Sequence, residues 1–264
     1  MRHFILALLL CCPSARAELG SQSTLVDSKD KAKAVDSDDA AVLQRHYPFY
    51  FAYGHALSKL QVSFKSPLVR SRPLYFGYTQ LMFWALNDDS KPFRDLTFNP
   101  ELFYRWDLGQ ATWLKSVDIG GFNHNSNGKA GPDSRSYNKS YLRANFEHQG
   151  PRWISRFSLQ GSDLYGFDPG NTDIQDFIGP VSFSLSFIQL FKAWVDRSEL
   201  ALQFSPGGKF SHRWGYGGYQ ASYSFRLGGI HLVPAFYLQY YRGYAETLLN
   251  YNQRVNVFRA GLIF

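Results

Sequence analysis

The stretch "VFRAGLIF", Val257 to Phe264, alternates at every step. On an extended chain, Phe258, Ala260, Leu262 and Phe264 share one side, and Val257, Arg259, Gly261 and Ile263 share the other. The first set suits lipid. A second run, "NKSYLRANFEHQ" from Asn138 to Gln149, repeats the pattern more strongly. Leu142, Ala144 and Phe146 share a face, while Lys139, Tyr141, Arg143, Asn145 and Glu147 share the opposite one. A face this charged is wrong for the dry core of a soluble sandwich, the competing architecture. It is expected where hydrogen-bonded side chains fill the lumen of a small membrane barrel.

Segments of this kind recur along the chain. Strands are expected near 48–56, 60–69, 73–86, 99–108, 113–124, 135–149, 151–161, 177–192, 197–206, 215–227, 230–247 and 254–264. That makes about twelve, an even number, as a single-chain bacterial barrel requires. No run of eighteen apolar residues occurs, so transmembrane helices are excluded as the main architecture. Aromatic residues make up 17% of a chain whose mean hydropathy is only −0.29, which fits aromatic girdles better than a soluble core. The fold class expected is an all-β, antiparallel, transmembrane β-barrel.

The N-terminal region reads differently. Met1 to His3 is a short positive end, Phe4 to Cys12 an apolar centre, and Ser14-Ala15-Arg16-Ala17 a cleavage site of small residues. Residues 1–17 are therefore expected to be a signal peptide, and 18–46 a polar arm too poor in large apolar groups to fold alone. The barrel is expected over 47–264. Both cysteines fall in the leader, which leaves the mature chain without disulfides, a thiolate nucleophile or a Cys metal site. The net charge of +7 comes from scattered Lys and Arg. It suits an anionic membrane surface and carries no nucleic-acid signature.

Between two aromatic segments lies "NHNSNGKAGPDSRSYN", Asn123 to Asn138. Period 2 puts Asn138 with Leu142, on the lipid side. Phe122 and His124 share a face, but Val117 and Ile119 have the opposite parity. A bulge at Gly120-Gly121 would absorb one residue and restore the phase. Val117, Ile119, Phe122 and His124 would then face lipid, with Ser126 following them, and Ser116 and Asp118 would face the lumen. Spacing alone leaves two readings. The polar groups could be wetted at the barrel rim, or they could form a nucleophile with its base. A serine hydroxyl needs a base within reach, and an imidazole needs an acceptor to hold its tautomer. An Asn carbonyl can be that acceptor. Backbone N–H groups near Asn127-Gly128 could receive an oxyanion.

This run closely resembles the active-site segment of the outer membrane phospholipase A family. "YTQ" (78–80), "NDDSKPFRD" (87–95), "NPELF" (99–103), "GNTD" (170–173), "GYGG" (215–218) and "GYAETLLNYN" (243–252) follow in family order, so the resemblance spans about Tyr47 to Phe264. It implies a Ca2+-dependent twelve-stranded barrel that hydrolyses phospholipid acyl esters, with phospholipase A1, A2 and lysophospholipase activity. Ser126 resembles the nucleophile, His124 the general base and Asn138 the residue that orients it, while the Gly128 N–H resembles an oxyanion donor. The Ca2+ ligands implied are Ser134 by its side chain, Lys129 by its carbonyl and Ser90 from the partner of a homodimer. Gln80 resembles a polar residue of the dimer interface. The family usually carries Arg at the position of Lys129, a change that leaves a carbonyl ligand intact. Asn125 stands where some members have an acid, and the Gly120-Gly121 pair has one glycine more than the family pattern. Hydroxyl and carbonyl donors suit Ca2+ better than Zn2+.

Two other functions fit a barrel of this kind: a passive pore, and another outer-membrane lipid enzyme such as a lipid A deacylase or palmitoyltransferase. His46, His55, His148, His212 and His231 are scattered singly and read as surface or lumen residues. Asp88 and Asp89 read as a solvated loop, "GYGG" as a strand or turn feature, and Tyr216, Tyr219, Tyr240, Tyr241 and Tyr244 as girdle aromatics. Asn123, Asn125 and Asn127 read as turn and rim residues.

Overall fold

The computed structural model describes residues 43–69, 71–109, 111–189, 195–208, 214–227 and 234–264. The expected signal peptide, most of the polar arm, His212 and His231 lie outside the described residues.

Thirteen strand segments form one antiparallel sheet that closes on itself. They are β1 (Gln44–Arg45), β2 (Tyr50–Tyr53), β3 (Ser58–Val69), β4 (Arg72–Trp84), β5 (Phe93–Asp107), β6 (Leu114–Ser126) and β7 (Ser136–Gln149). Then follow β8 (Ile154–Tyr165), β9 (Val181–Ile188), β10 (Val195–Ser205), β11 (Gly218–Leu227), β12 (Ala235–Gly243) and β13 (Val255–Ile263). β1 and β2 lie end to end against the same edge of β3, so thirteen segments occupy twelve barrel positions. β13 pairs with β2, which closes the ring and leaves no open edge. In lipid this closure is obligatory, because an unpaired backbone group has no water to bond.

The strand positions agree with the alternation, but some ends differ: β8 covers Ile154–Tyr165 and not 151–161, β9 starts at Val181 and not at 177, and three further differences have a local cause. The first strand starts at Gln44, before the expected boundary at Tyr47, and is interrupted where His46 turns inward to Glu101. β5 starts at Phe93 and not at 99, because "FRDLT" pairs with the end of β4. β12 ends at Gly243 and not at 247, since Tyr244 onward turns over the barrel mouth, while 230–233 of the expected strand lie outside the described residues.

The two faces separate as the pattern requires. Leu142, Ile119, Phe122, Phe258 and Leu262 are exposed around the outside. Inside, two ionic clusters cross the lumen. Arg105 makes a paired contact with Asp118 at 2.7 and 2.9 Å. Arg143 approaches the same carboxylate at 3.6 Å and donates to Gln160 and to the Tyr47 hydroxyl. Tyr141 donates to Glu101 at 2.6 Å. On the other side, Arg259 pairs with Glu246, which Lys59 approaches at 3.8 Å. Beside them a cavity of about 420 Å3 remains, lined by Gln61, Lys139, Glu199, Gln203 and Ser222 among others.

The girdle expectation holds for Tyr216, Tyr219 and Tyr240, which are exposed. It fails for Tyr241, which has the opposite parity to Tyr240, is buried in the lumen and donates to the Tyr244 carbonyl. Tyr244 is partly buried and stacks with Tyr216 where the chain crosses the mouth.

The bulge lies where the glycine pair predicted it. Phe103 pairs with Gly120 but Leu102 pairs with Phe122, so Gly121 is the surplus residue. Facing β7, the register shifts between Gly120–Tyr141 and Asn123–Lys139. Gly120 has a separate constraint: a Cβ there would lie 2.1 Å from the Tyr141 ring. Gly120→Ala must therefore push Tyr141 off Glu101, at a cost of about 1–3 kcal/mol. Loss of the folded form in unheated SDS gels at a lower urea concentration than for the unaltered chain would measure it.

Candidate active site

The connections that join β4 to β5, β6 to β7, β8 to β9, β10 to β11 and β12 to β13 all lie at one end of the barrel, and they are longer than those at the other end. In single-chain outer-membrane barrels the longer loops are extracellular. The segment Asn123–Asn138 is at that rim.

β6 and β7 bring the residues together. In their ladder His124 stands opposite Asn138, and Ser126 opposite Ser136. His124 Nδ1 and Asn138 Oδ1 are 2.7 Å apart, and both side chains are partly exposed on the outer face. With Nδ1–H donated to this carbonyl, the imidazole keeps Nε2 as its free base. His124 also stacks parallel to Phe122, two residues back on the same face. Ser126 is the next outward residue along β6. Its Oγ accepts the Gly128 N–H at 3.2 Å. Gly128 has φ +66°, and a Cβ there would meet the Phe98 ring at 2.8 Å. Glycine thus permits both the left-handed turn and its contact with Phe98.

The loop from Asn127 to Arg135 is organised by one side chain. Asn127 Oδ1 accepts N–H groups from Lys129 at 3.3 Å and Arg135 at 3.0 Å, and its Nδ2 donates to the Asp133 carbonyl at 2.8 Å. Its own N–H donates to the Arg135 carbonyl at 3.1 Å. Both arms of the loop, carrying Lys129 and Ser134, are thereby tied together.

Reading Asn127 as a turn residue agrees with its place in this loop, although it is buried, but the same reading of Asn123 and Asn125 is wrong: both lie within β6 and are buried. After the bulge, odd positions of β6 face inward. Asn123 and Asn125 bond to Asn99, and Asn123 also reaches Glu101 at 3.3 Å. Parity carried past the bulge was the signal for this.

Ser134 donates to Asp168 Oδ2 at 2.8 Å. The Gly170 N–H and the Ser134 hydroxyl hold the Asp168 carboxyl below its usual range, so it is charged at neutral pH. Lys129 Nζ donates to the Arg94 carbonyl at 3.3 Å. Ser90 lies apart, in the turn between β4 and β5, where Asp88 pairs with Arg94. Gln80 sits on the outward parity of β4 and accepts from the Tyr78 hydroxyl at 3.2 Å. Among the described residues no cluster of three His, Cys, Asp or Glu side chains could hold a metal. A cation here would depend on hydroxyl and carbonyl oxygens.

Sequence reasoning missed Gly166. It has φ +62°, and a Cβ there would lie 2.5 Å from Asn138 Nδ2. The start of the β8–β9 connection therefore closes directly on the amide that holds His124.

A closed barrel with an apolar exterior and a charged interior is an integral outer-membrane protein, and this one carries a His–Asn pair on its outer rim. The phospholipase A1 family model matches residues 25–264, and the chain belongs to that family. It is 32% identical over 225 residues to a Neisseria meningitidis relative, covering 79% of this chain and 54% of that protein. It is 32% identical over 204 residues to phospholipase A1 of Salmonella typhimurium, covering 74% of this chain and 64% of the relative. The chain thus spans between half and two thirds of the length of these curated relatives. Among solved structures, outer membrane phospholipase A from Escherichia coli superposes with a TM-score of 0.70 at 24% identity, over 87% of this chain and 94% of that one. The Salmonella typhi outer membrane phospholipase dimer with bound calcium gives a TM-score of 0.68 at 24% identity, over 86% and 94%. These likenesses agree with the twelve-position barrel.

Gly166→Ala should displace Asn138 from His124. Loss of the slowly exchanging His124 Nδ1–H signal in a proton NMR spectrum, with the folded gel mobility unchanged, would check it.

Proposed function

We propose that this chain is an outer-membrane phospholipase that hydrolyses acyl esters with Ser126, His124 and Asn138. The observation that carries the reading is the 2.7 Å bond between His124 and Asn138 on the lipid-facing side of the rim, with Ser126 next along the same face. Family membership supports the same chemistry.

In this reading, His124 Nε2 takes the Ser126 proton as Oγ attacks the ester carbonyl. The tetrahedral oxyanion receives the Gly128 N–H, a donor already directed at Ser126 Oγ. His124 then returns the proton to the departing lysophospholipid oxygen. Water, activated by the same imidazole, attacks the acyl-enzyme and frees the fatty acid. Asn138 holds the imidazole in its productive tautomer throughout. A lipid-facing site lets an outer-leaflet phospholipid approach sideways, without leaving the membrane. Cleavage of either acyl ester, and of the lysophospholipid product, is part of the proposal.

The donor set fits Ca2+. Ser134 Oγ gives its hydrogen to Asp168, which leaves the oxygen lone pairs for a hard cation. Asn127 ties the Lys129 arm to the Ser134 arm. Ser134, the Lys129 carbonyl and Ser90 of a second copy would hold the ion, so activity would depend on a calcium-dependent homodimer. Ca2+ held there would supply positive charge to stabilise the oxyanion. Gln80, facing outward on β4, suits a place in that dimer interface. The Salmonella typhi relative is a dimer with bound calcium.

The passive-pore reading is less well supported. Ionic clusters cross the lumen from two sides, and the β12–β13 connection, through Glu246, Leu248 and Tyr251, packs into the mouth beside the remaining cavity.

Phospholipid hydrolysis in detergent with and without Ca2+ tests the proposal. Ser126→Ala should lose at least about a thousandfold in turnover, given what removal of a triad member costs elsewhere. Chelation of Ca2+ should suppress the unaltered enzyme. Undiminished turnover in Ser126→Ala would sink the assignment.

A further inference from the structure

The GNTD run, Gly170 to Asp173, takes no part in the chemistry above. Yet its Asn171 is wholly buried, and its side chain makes two bonds to one backbone residue. Asn171 Oδ1 accepts the Ser136 N–H at 3.1 Å, and Nδ2 donates to the Ser136 carbonyl at 3.0 Å. This is the two-point exchange by which a neighbouring strand would hold Ser136. An amide side chain supplies it where β7 begins and before the β8 ladder, which starts at Asn138, can do so. The Asp168 N–H adds a second donor to the same carbonyl at 2.9 Å.

Ser136 is a critical place to hold. It is the ladder partner of Ser126, and it stands two residues before Asn138. We propose that Asn171 is a positioning residue, which fixes β7 at Ser136 so that Ser126 and Asn138 keep their geometry at His124. The inference rests on the hydrolase reading above.

Asn171 is itself rigidly held. Its N–H donates to the Asp168 carbonyl at 3.0 Å. Three residues on, Ile174 is wholly buried with Tyr137, Leu248 and Tyr251. Asp173 accepts the Tyr251 hydroxyl, a separate tie of this connection to the barrel mouth that does not touch Asn171. The same connection touches the site a second time at Gly166, against the Asn138 amide. Packing alone does not call for Asn at 171, since a buried amide costs free energy unless its bonds are made. Its two side-chain bonds go to the strand end that carries the site.

The test compares the unaltered protein with Asn171→Ala, Asn171→Asp and Tyr251→Phe, all normalised to the folded form seen in unheated gels. Tyr251→Phe removes the tie to Asp173 and leaves the bonds to Ser136. Two readouts are taken: the rate of Ser126 modification by a serine-directed sulfonyl fluoride, mapped by peptide mass, and kcat and KM for a phospholipid in detergent. Asn171→Ala should lower both the labelling rate and kcat about tenfold to a hundredfold, with KM little changed. Asn171→Asp keeps an acceptor for the Ser136 N–H but turns an oxygen toward its carbonyl, so it should fall between. Tyr251→Phe should label at close to the unaltered rate. Equal losses in Asn171→Ala and Tyr251→Phe, or a change confined to KM, would overturn the positioning role. So would labelling of Asn171→Ala at the unaltered rate. Failure of both Asn171 variants to reach the folded form would assign Asn171 to barrel assembly instead. If Ser126 in the unaltered protein is not labelled at all, the hydrolase reading falls, and this role with it.

Discussion

The rim of this barrel depends on one surplus residue in β6. Along a strand, sides alternate without exception, so any group two residues from a lipid-facing one must also face lipid. Val117 and Ile119 are on the outer face, and if Gly121 took a regular place in the ladder the same phase would send Phe122 and His124 into the lumen. It would also push Asn123 and Asn125 out into lipid, where unpaired amides are costly. Gly121 absorbs one step, and each residue beyond it changes sides. Glycine suits both positions of the bulge for different reasons. Gly121 is left out of both ladders, whereas Gly120 lies beneath the Tyr141 ring with no room for a side chain.

What lies behind that wall keeps it in place. The inner side of β6 is held by Asp118, which binds Arg105, Arg143 and Asn145, and by Asn123 and Asn125, which bind Asn99. A buried ion pair adds little net stability, since desolvation offsets much of its attraction. Losing one partner is a different matter, and strands tied by several such groups cannot slide by one register without stranding a charge. The lumen network thus fixes register more than it adds stability. The outer face of β6 and β7 inherits that fixed register as the placement of His124 against Asn138.

The alternation in "VFRAGLIF" and "NKSYLRANFEHQ" made the barrel legible, because lipid on one side and a charged lumen on the other demand opposite chemistries at each step. The bulge was legible from a parity conflict between Ile119 and Phe122. The pairing of His124 with Asn138 followed from it, and the structure has the two residues opposite each other. What stayed hidden depended on contacts between segments distant in sequence. Nothing local distinguishes Tyr241 from Tyr240 until the strand phase is set by β11 and β13. Asn171 and Gly166 sit in a connection without strand periodicity, and their contacts with Ser136 and Asn138 arise only when that connection folds back over β7. The inward turn of His46 similarly requires Glu101, some fifty residues away in the chain.

The choice of Asn at 138 follows from where the pair sits. In a water-filled cleft an Asp would hold the imidazole tautomer equally well and would also stabilise the imidazolium. On the lipid-facing side of a barrel a carboxylate must be desolvated whenever the substrate's acyl chains cover the site, and an isolated charge there is expensive. A neutral amide avoids that cost. Its carbonyl accepts from His124, and the Gly166 backbone packs directly against its other end. The charge that an Asp would have contributed must then come from elsewhere in the reaction cycle. A cation held by uncharged oxygens of the neighbouring loop, brought together only when two barrels meet, is a physically consistent source. In the proposed hydrolase, the neutral Asn and the hydroxyl and carbonyl donors at Ser134 and Lys129 would be parts of one solution to working at a lipid surface, with Ca2+ supplying the missing charge.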